Sequence, residues 1–276
     1  MTIVDSHLHL WDLTVSEYAW IPDGPLHANY TAKQARSELD DAGVDAAILV
    51  QAEDSEADTT FLLAQAAEHD WIIGVVGWVR LDDPDTAARQ LDRWQESPWF
   101  RGVRHLVHDD PRHGFLDLTV VRRSLALLAE RGLPFDVPDA YPRHLTQVAG
   151  LAAALPDLTV VVDHLGKPPR SRTAFADWRA TMRELASRPN TVAKLSGLQM
   201  PGEPFTVDAV RPAVTEALEI FGPRRLMYGG DWPMTVLFGG YGRAWEILWT
   251  LIGELSETER ARILSGTAGE IYGGAR

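Results

Sequence analysis

The sequence predicts an α/β protein folded as one closed (β/α)8 barrel, the TIM-barrel architecture, over residues 1–276. Short aliphatic or β-branched runs alternate with longer segments of helical period, and the alternation continues to the C-terminus. Eight such pairs can be counted, and 276 residues is a length that eight βα units fill with little left for a second domain.

The expected strands are residues 2–10, 46–52, 72–79, 100–106, 134–137, 159–162, 192–195 and 226–229. Several are apolar on both faces, as parallel strands are when helices cover one side and a barrel interior the other. Between them DTTFLLAQAAEHD, DTAARQLDRWQES, TVVRRSLALLAERG, RHLTQVAGLAAALP, AFADWRATMRELASR and VDAVRPAVTEALEIFG space their apolar residues at helical intervals. Helix stops at Gly43, Gly132, Pro156, Pro189 and Gly222 each precede the next strand. Asp82-Asp83-Pro84-Asp85 reads as a helix start, where carboxylates suit the dipole. Residues 256–268 form a terminal helical cap, and no composition shift divides the chain. An open doubly wound sheet with one strand miscounted is the competing arrangement.

Composition narrows the chemistry. With 26 basic against 39 acidic residues the net charge is −13, which disfavours nucleic acid and anionic membranes as partners. The absence of cysteine excludes disulfides, thiolate metal sites and a thiol nucleophile, so any metal must use histidine and carboxylate. No apolar stretch is long enough to span a bilayer, and MTIVDSHLHLWDL lacks the basic start of a signal peptide, so a cytoplasmic protein is expected.

A barrel of this kind carries its site at the C-terminal strand ends. Those ends hold Asp5-Ser6-His7-Leu8-His9, Gln51 and Glu53, Trp78 and Arg80, Arg104 and His105, Asp163-His164, Lys194 and Ser196, and Gly229-Gly230-Asp231-Trp232-Pro233. His7 and His9 lie two apart in an extended segment, so both imidazoles face the same side. With His164 and Asp231 they make a donor set for a zinc-like ion. Taken singly, each also reads as a satisfied core histidine or a turn carboxylate. Arg80 and Arg104 could fork onto a substrate carboxylate or hydroxyls, or pair with Glu53 or Asp163. Trp11, Trp78 and Trp232 fall near the expected mouth and could face a sugar ring. Trp94, Trp178, Trp245 and Trp249 fall in helices as packing residues. His27, His69, His113 and His144 carry no assigned chemistry.

In order, VDSHLHLWD, EYAWI, AAILVQA, TTFLLAQA, GVVGWVRLDDP, FRGVRHLVHDDP, LPFDV, PDLTVVVDHLGKPP, NTVAKLSGL and FGPRRLMYGGDWP run from Val4 to Pro233. This series resembles the amidohydrolase superfamily, and within it the amidohydrolase-2 group of sugar-lactone and related lactone hydrolases. The resemblance implies a (β/α)8 barrel and a lactonase, a carboxylic ester hydrolase, acting on a small-molecule lactone of the L-fucono-, L-rhamnono- or galactono- type. Relatives of the group include 2-pyrone-4,6-dicarboxylate lactonases and, more distantly, decarboxylases. It places His7, His9, His164 and Asp231 at the centre, as catalytic residues and as the ligands of any metal. Arg80, Arg104, His105 and Trp232 would bind the substrate. Strand four offers arginine and histidine where a bridging carboxylated lysine would stand, so the implied metal is a single divalent ion, zinc by preference; metal-free catalysis is the other possibility within the group.

The expected mechanism is water attack on the lactone carbonyl with Asp231 as general base. Non-oxidative decarboxylation of an aromatic acid on the same barrel is one competing reading. A catalytically silent sugar- or protein-binding barrel is the other.

Overall fold

A computed structural model describes residues 2–273. Its sheet has eight parallel strands in sequence order: β1 Val4–Leu8, β2 Ala46–Val50, β3 Ile72–Gly77, β4 Phe100–Arg104, β5 Phe135–Val137, β6 Val160–Val162, β7 Thr191–Leu195 and β8 Leu226–Tyr228. The seam between β8 and β1 is carried by the parallel bridge Leu8–Trp232. It is reinforced where the Asp231 amide donates to the His7 carbonyl and the His9 amide to that of Trp232, both at 2.8 Å. A barrel, and not an open sheet, therefore accounts for the alternation. The strands are shorter than the apolar runs suggest, because β1 leaves the ladder at Leu8 and β3 at Gly77, freeing the polar residues that follow to line the top.

The helices are α1 Ala32–Ala42, α2 Glu56–Glu68, α3 Pro84–Trp94, α4 Thr119–Glu130, α5 Leu145–Ala154, α6 Arg172–Ala186, α7 Val207–Phe221 and α8 Gly240–Ile252. Local chemistry sets their ends. Thr31 and Gln34 form a capping box before α1, and Gly43 closes it in the left-handed region at φ 69°. Asp83 caps α3 with Pro84 in its first turn, as the acidic run implies. The terminal cap runs past residue 268: α9 Glu257–Ala261, a π-turn at Arg262–Gly266, then α10 Thr267–Tyr272. Trp94 and Trp178 are buried under the helices, but Trp249 is 39% exposed and stacks on Trp245. Among the described residues, no helix is long and apolar enough to cross a membrane.

Two apolar clusters hold the fold. The larger lies between strands and helices. The smaller joins Val4, Ile48, Val76, Val161, Val192 and Met227 with Ala268 and Tyr272. Side chains from β3 and β6, which are not neighbours in the sheet, meet in one cluster only across the barrel interior. The C-terminal helix thus plugs the lower end of the barrel, and the site is built above that floor.

Candidate active site

Directly above the floor lies a fully buried ion network. Lys194 on β7 donates through Nζ to Asp136 Oδ2 on β5 at 2.6 Å and lies 3.0 Å from Asp163 Oδ1 at the end of β6. Tyr272 donates to the same Asp136 oxygen from below at 2.7 Å. Arg104, the last residue of β4, reaches Asp163 Oδ2 at 3.5 Å and His7 Nε2 at 3.0 Å. Burial opposes ionisation of Asp163, but Lys194, His7 and Arg104 together hold its carboxyl well below the usual range.

The imidazoles stand on this layer, and their other ring nitrogens decide what they offer upward. His9 Nδ1 faces the Val50 carbonyl at 2.8 Å, which can only accept, so the proton sits there and the Nε2 lone pair points inward. Arg104 Nη1, which can only donate, lies 3.0 Å from His7 Nε2, so the Nε2 lone pair accepts there and the ring proton sits on Nδ1, 3.3 Å from Asp163 Oδ1 and 3.1 Å from Lys194 Nζ. His164 Nδ1 is bonded to Ser196 Oγ at 2.9 Å, which turns its Nε2 toward Asp231. Burial pushes the His164 ring down to about 4 and His7 well below its usual range, so both are neutral near pH 7. Burial would raise the Asp231 carboxyl, yet His164, His9, Lys167 and His7 around it hold it far below the ordinary range.

Three imidazole nitrogens and one carboxylate oxygen therefore converge. Separations are 3.1 Å for His7 Nε2 to His9 Nε2, 3.6 Å for His9 to Asp231 Oδ1, 3.8 Å for His164 to Asp231 and 3.9 Å for His7 to Asp231. Four ligands at zinc bond lengths of about 2.0–2.2 Å stand about 3.3–3.6 Å apart in a tetrahedron. His7, His9 and Asp231 form a donor group that fits a single divalent ion, and His164 Nε2, 3.8 Å from Asp231 Oδ1, would complete the set.

Backbone geometry serves the same point. His164, Lys167, Asp139 and Asp231 all adopt left-handed φ values of 43–60°, uncommon for residues with a Cβ, and all four line the cavity above the imidazoles. Gly197 makes room for the His164 ring: a Cβ there would stand 2.2 Å from Nδ1. Gly230 does likewise for Asp5 and Tyr241, whose contacts lock β1 against β8.

The cavity measures about 390 Å³. Trp20, Leu106, Met200, Met234, Leu237 and Phe238 supply its apolar wall, and Arg104, His108, Asp139, Lys167 and Gln199 its polar one. Of the residues singled out from sequence, His7, His9, Arg104, His164 and Asp231 are brought together here. Arg80, His105 and Trp232 are not. Arg80 is 60% exposed and pairs with Asp82. His105 follows inward-facing Arg104, so alternation turns it outward, where it stacks on Phe115 and accepts from Trp78 Nε1 at 3.1 Å. Trp232 follows inward-facing Asp231 and packs edge-on against Tyr30. Trp11 is buried, donating to the Ala28 carbonyl. Trp20 takes the mouth position instead. It lies in EYAWI, Lys167 in DHLGKPP and Gln199 just after KLSGL, so the motif segments held the signal for them, whereas nothing local marks His108 or Asp139.

Residues 4–274 match the amidohydrolase family Amidohydro_2. The chain is 33% identical to an L-fucono-1,5-lactonase of Burkholderia multivorans over 98% of this chain and 95% of that protein. It is 31% identical to an L-fucono-1,5-lactonase of Burkholderia ambifaria, over 98% and 94% respectively. Among solved structures, an amidohydrolase from Burkholderia multivorans with bound zinc superimposes with a TM-score of 0.89 at 31% identity, covering 100% of both chains.

Proposed function

Because the chain belongs to the amidohydrolase family, we propose that it hydrolyses the ester ring of a sugar lactone, with aldonolactones of the L-fucono-1,5-lactone type as its substrate class. The observation that carries this reading is the convergence of three imidazoles and the Asp231 carboxyl at the base of a cavity large enough for such a ring.

A divalent ion held by His7, His9, His164 and Asp231 would polarise the carbonyl and acidify a water. The chain's own groups do the rest. Gln199 Nε2 donates to Asp231 Oδ2 at 2.7 Å, which turns Oδ1 toward the imidazoles and the reacting water. Asp231 takes a proton as the water oxygen bonds to the carbonyl carbon, and the Arg104 guanidinium, beside His7 Nε2, stabilises the developing oxyanion. The ring C–O bond then breaks, and Asp231 returns the proton to the departing oxygen, giving the hydroxy acid. The apolar wall keeps bulk water from the reacting groups.

The test is acid release from a panel of aldonolactones by wild type and Asp231→Asn. The variant should fold normally and lose activity by orders of magnitude; retention of activity within about tenfold sinks the assignment of Asp231. Carbon dioxide release from an aromatic acid, with no acid produced from any lactone, would instead establish the decarboxylase reading.

A further inference from the structure

His164 and Lys167 both come from the segment DHLGKPP, and both line the cavity. After β6 the chain makes a left-handed turn. His164, Leu165, Gly166 and Lys167 have φ values of 55°, 52°, 67° and 60°, and the Lys167 amide donates to the His164 carbonyl at 2.9 Å. Only Gly166 adopts such a backbone without steric cost, so the surrounding barrel must hold the turn in place. Positions three apart in a turn of this pitch eclipse, which sets His164 and Lys167 on one side. The strained turn therefore delivers a cation to the cavity together with an imidazole.

That cation is fixed in place and only partly used. Lys167 Nζ donates to the Gly197 carbonyl at 2.8 Å, its one hydrogen-bond partner among the described residues, and Asp139 Oδ1 stands 3.9 Å away, beyond hydrogen-bond reach. An ammonium carries three N–H donors, so the others remain open, on a side chain that is 26% exposed. Its charge reaches the reacting groups. Burial would raise the Asp231 carboxyl, and Lys167 joins His164 and His9 in holding it down; burial keeps the His164 ring low, and Lys167 adds to that effect. Hydrolysis of an uncharged lactone ends with a new carboxylate beside Asp231. A prepositioned cation with open donors on the cavity wall is suited to that gain of negative charge.

We propose that Lys167 is a second substrate-contacting cation of the site, donating hydrogen bonds to the ester oxygens as the ring opens and then to the carboxylate of the product. The proposal rests on the lactonase reading and adds a residue to it. No proton leaves the ammonium. Water adds to the carbonyl carbon, the ring C–O bond breaks, and Asp231 carries one water proton to the departing oxygen. The carboxylic acid so formed releases its remaining proton to solvent, which leaves the carboxylate against Lys167. Because the contact strengthens as negative charge develops, its loss falls on kcat more than on KM for the uncharged lactone.

The test measures steady-state acid release from L-fucono-1,5-lactone, or from whichever aldonolactone wild type turns over best. It also measures competitive inhibition by the aldonate which that reaction yields and by the matching uncharged alditol. Wild type should bind the aldonate at least about tenfold more tightly than the alditol. Lys167→Gln keeps an N–H donor for the Gly197 carbonyl without the charge, and Lys167→Arg keeps the charge. Lys167→Gln should lower kcat by about 10–100-fold, change KM for the lactone by less than about threefold and raise Ki for the aldonate by at least about tenfold. Lys167→Arg should recover most of both losses. A lysine that only braces the turn predicts another pattern, with unfolding at lower urea and with Ki and KM moving together. No preference of wild type for the aldonate over the alditol, or Ki and KM shifting by the same factor in Lys167→Gln, overturns the proposal and leaves the lactonase reading intact. Failure of wild type on every lactone overturns both.

Discussion

Gly197→Ala asks how finely the His164 ring must be placed. The new methyl would stand 2.2 Å from Nδ1 and 2.6 Å from Cγ, so the ring must retreat about 1.2 Å to reach the 3.4 Å where ordinary contact begins. Ring and glycine cannot both stay, because Ser196 already fixes Nδ1 at 2.9 Å. The backbone at φ +54° adds a cost of about 1–2 kcal/mol for alanine in the left-handed region. A misplacement of about 1 Å in a reacting group costs about 100-fold in rate, whereas losing only a supporting hydrogen bond costs about 10–100-fold. Gly197→Ala should therefore lower kcat about 100-fold with a stability loss of about 1–3 kcal/mol, and Ser196→Ala, which frees the ring without pushing it, should cost less. Steady-state acid release with urea unfolding on the same preparations reads both quantities. A Gly197→Ala enzyme within about threefold of wild type, while still folded, would refute the claim that this glycine exists to seat His164.

Lys194→Met should destabilise the fold by about 3–5 kcal/mol in urea unfolding, since Asp136 and Asp163 would remain buried without their shared cation; a loss under about 1 kcal/mol would mean the network does not hold the barrel interior. Asp58, buried beside Tyr18 and the Ala52 amide, has its carboxyl raised by burial to about 7. The folded state then takes up a proton between pH 7 and 4 that the unfolded chain does not, so this group stabilises the fold at low pH and the contribution is lost as pH rises through about 7. Asp58→Asn should carry a pH-independent offset and a smaller stability loss between pH 5 and 8 than wild type; parallel curves would contradict this. Dialysis against a strong chelator should lower both activity and Tm, and added zinc should restore both, with unchanged values counting against the ion that the four donors fit.

The barrel was legible because its alternation of buried runs and amphipathic helices is local, and because Gly43 and Asp83 announce helix ends by their own chemistry. The central four residues were legible for a related reason. His7 and His9 share a face by strand period, and His164 and Asp231 are polar groups at the ends of apolar runs. Alternation also explains where the reading failed. His105 and Trp232 each sit one position beyond an inward-facing residue, so a period-2 strand turns them outward, and choosing between neighbours requires the register. Strand β1 shows how the register can shift. Its pairing slips between Asp5 and Leu8, which puts Val4 in the barrel floor and His7 in the site although they are three apart. Arg80 lies beyond the ladder in a loop whose path no local pattern fixes. His108 and Asp139 reach the cavity wall from loops after β4 and β5, where no strand period applies.

The stacking along the barrel axis explains the electrostatics of the site. In the lower layer Lys194 and Arg104 face Asp136 and Asp163, two cations against two anions, so this layer is neutral within itself and lends little charge to what lies above. In the upper layer His7 and His164 are neutral, which leaves the carboxylate of Asp231 as a buried anion supported by an amide hydrogen bond from Gln199 and the charge of Lys167 nearby. A buried anion facing three imidazoles is costly unless a positive centre joins it. A divalent ion held there would meet that need in the resting site, and the electron-poor carbonyl carbon and a polarised water meet it during the reaction. The geometry that makes the donor set attractive to a metal is the same geometry that favours charge development at the lactone carbonyl. Tyr272, donating to Asp136 from the terminal helix, ties this arrangement to the last helix of the chain. The plug that closes the barrel floor thereby also fixes the base on which His7 stands.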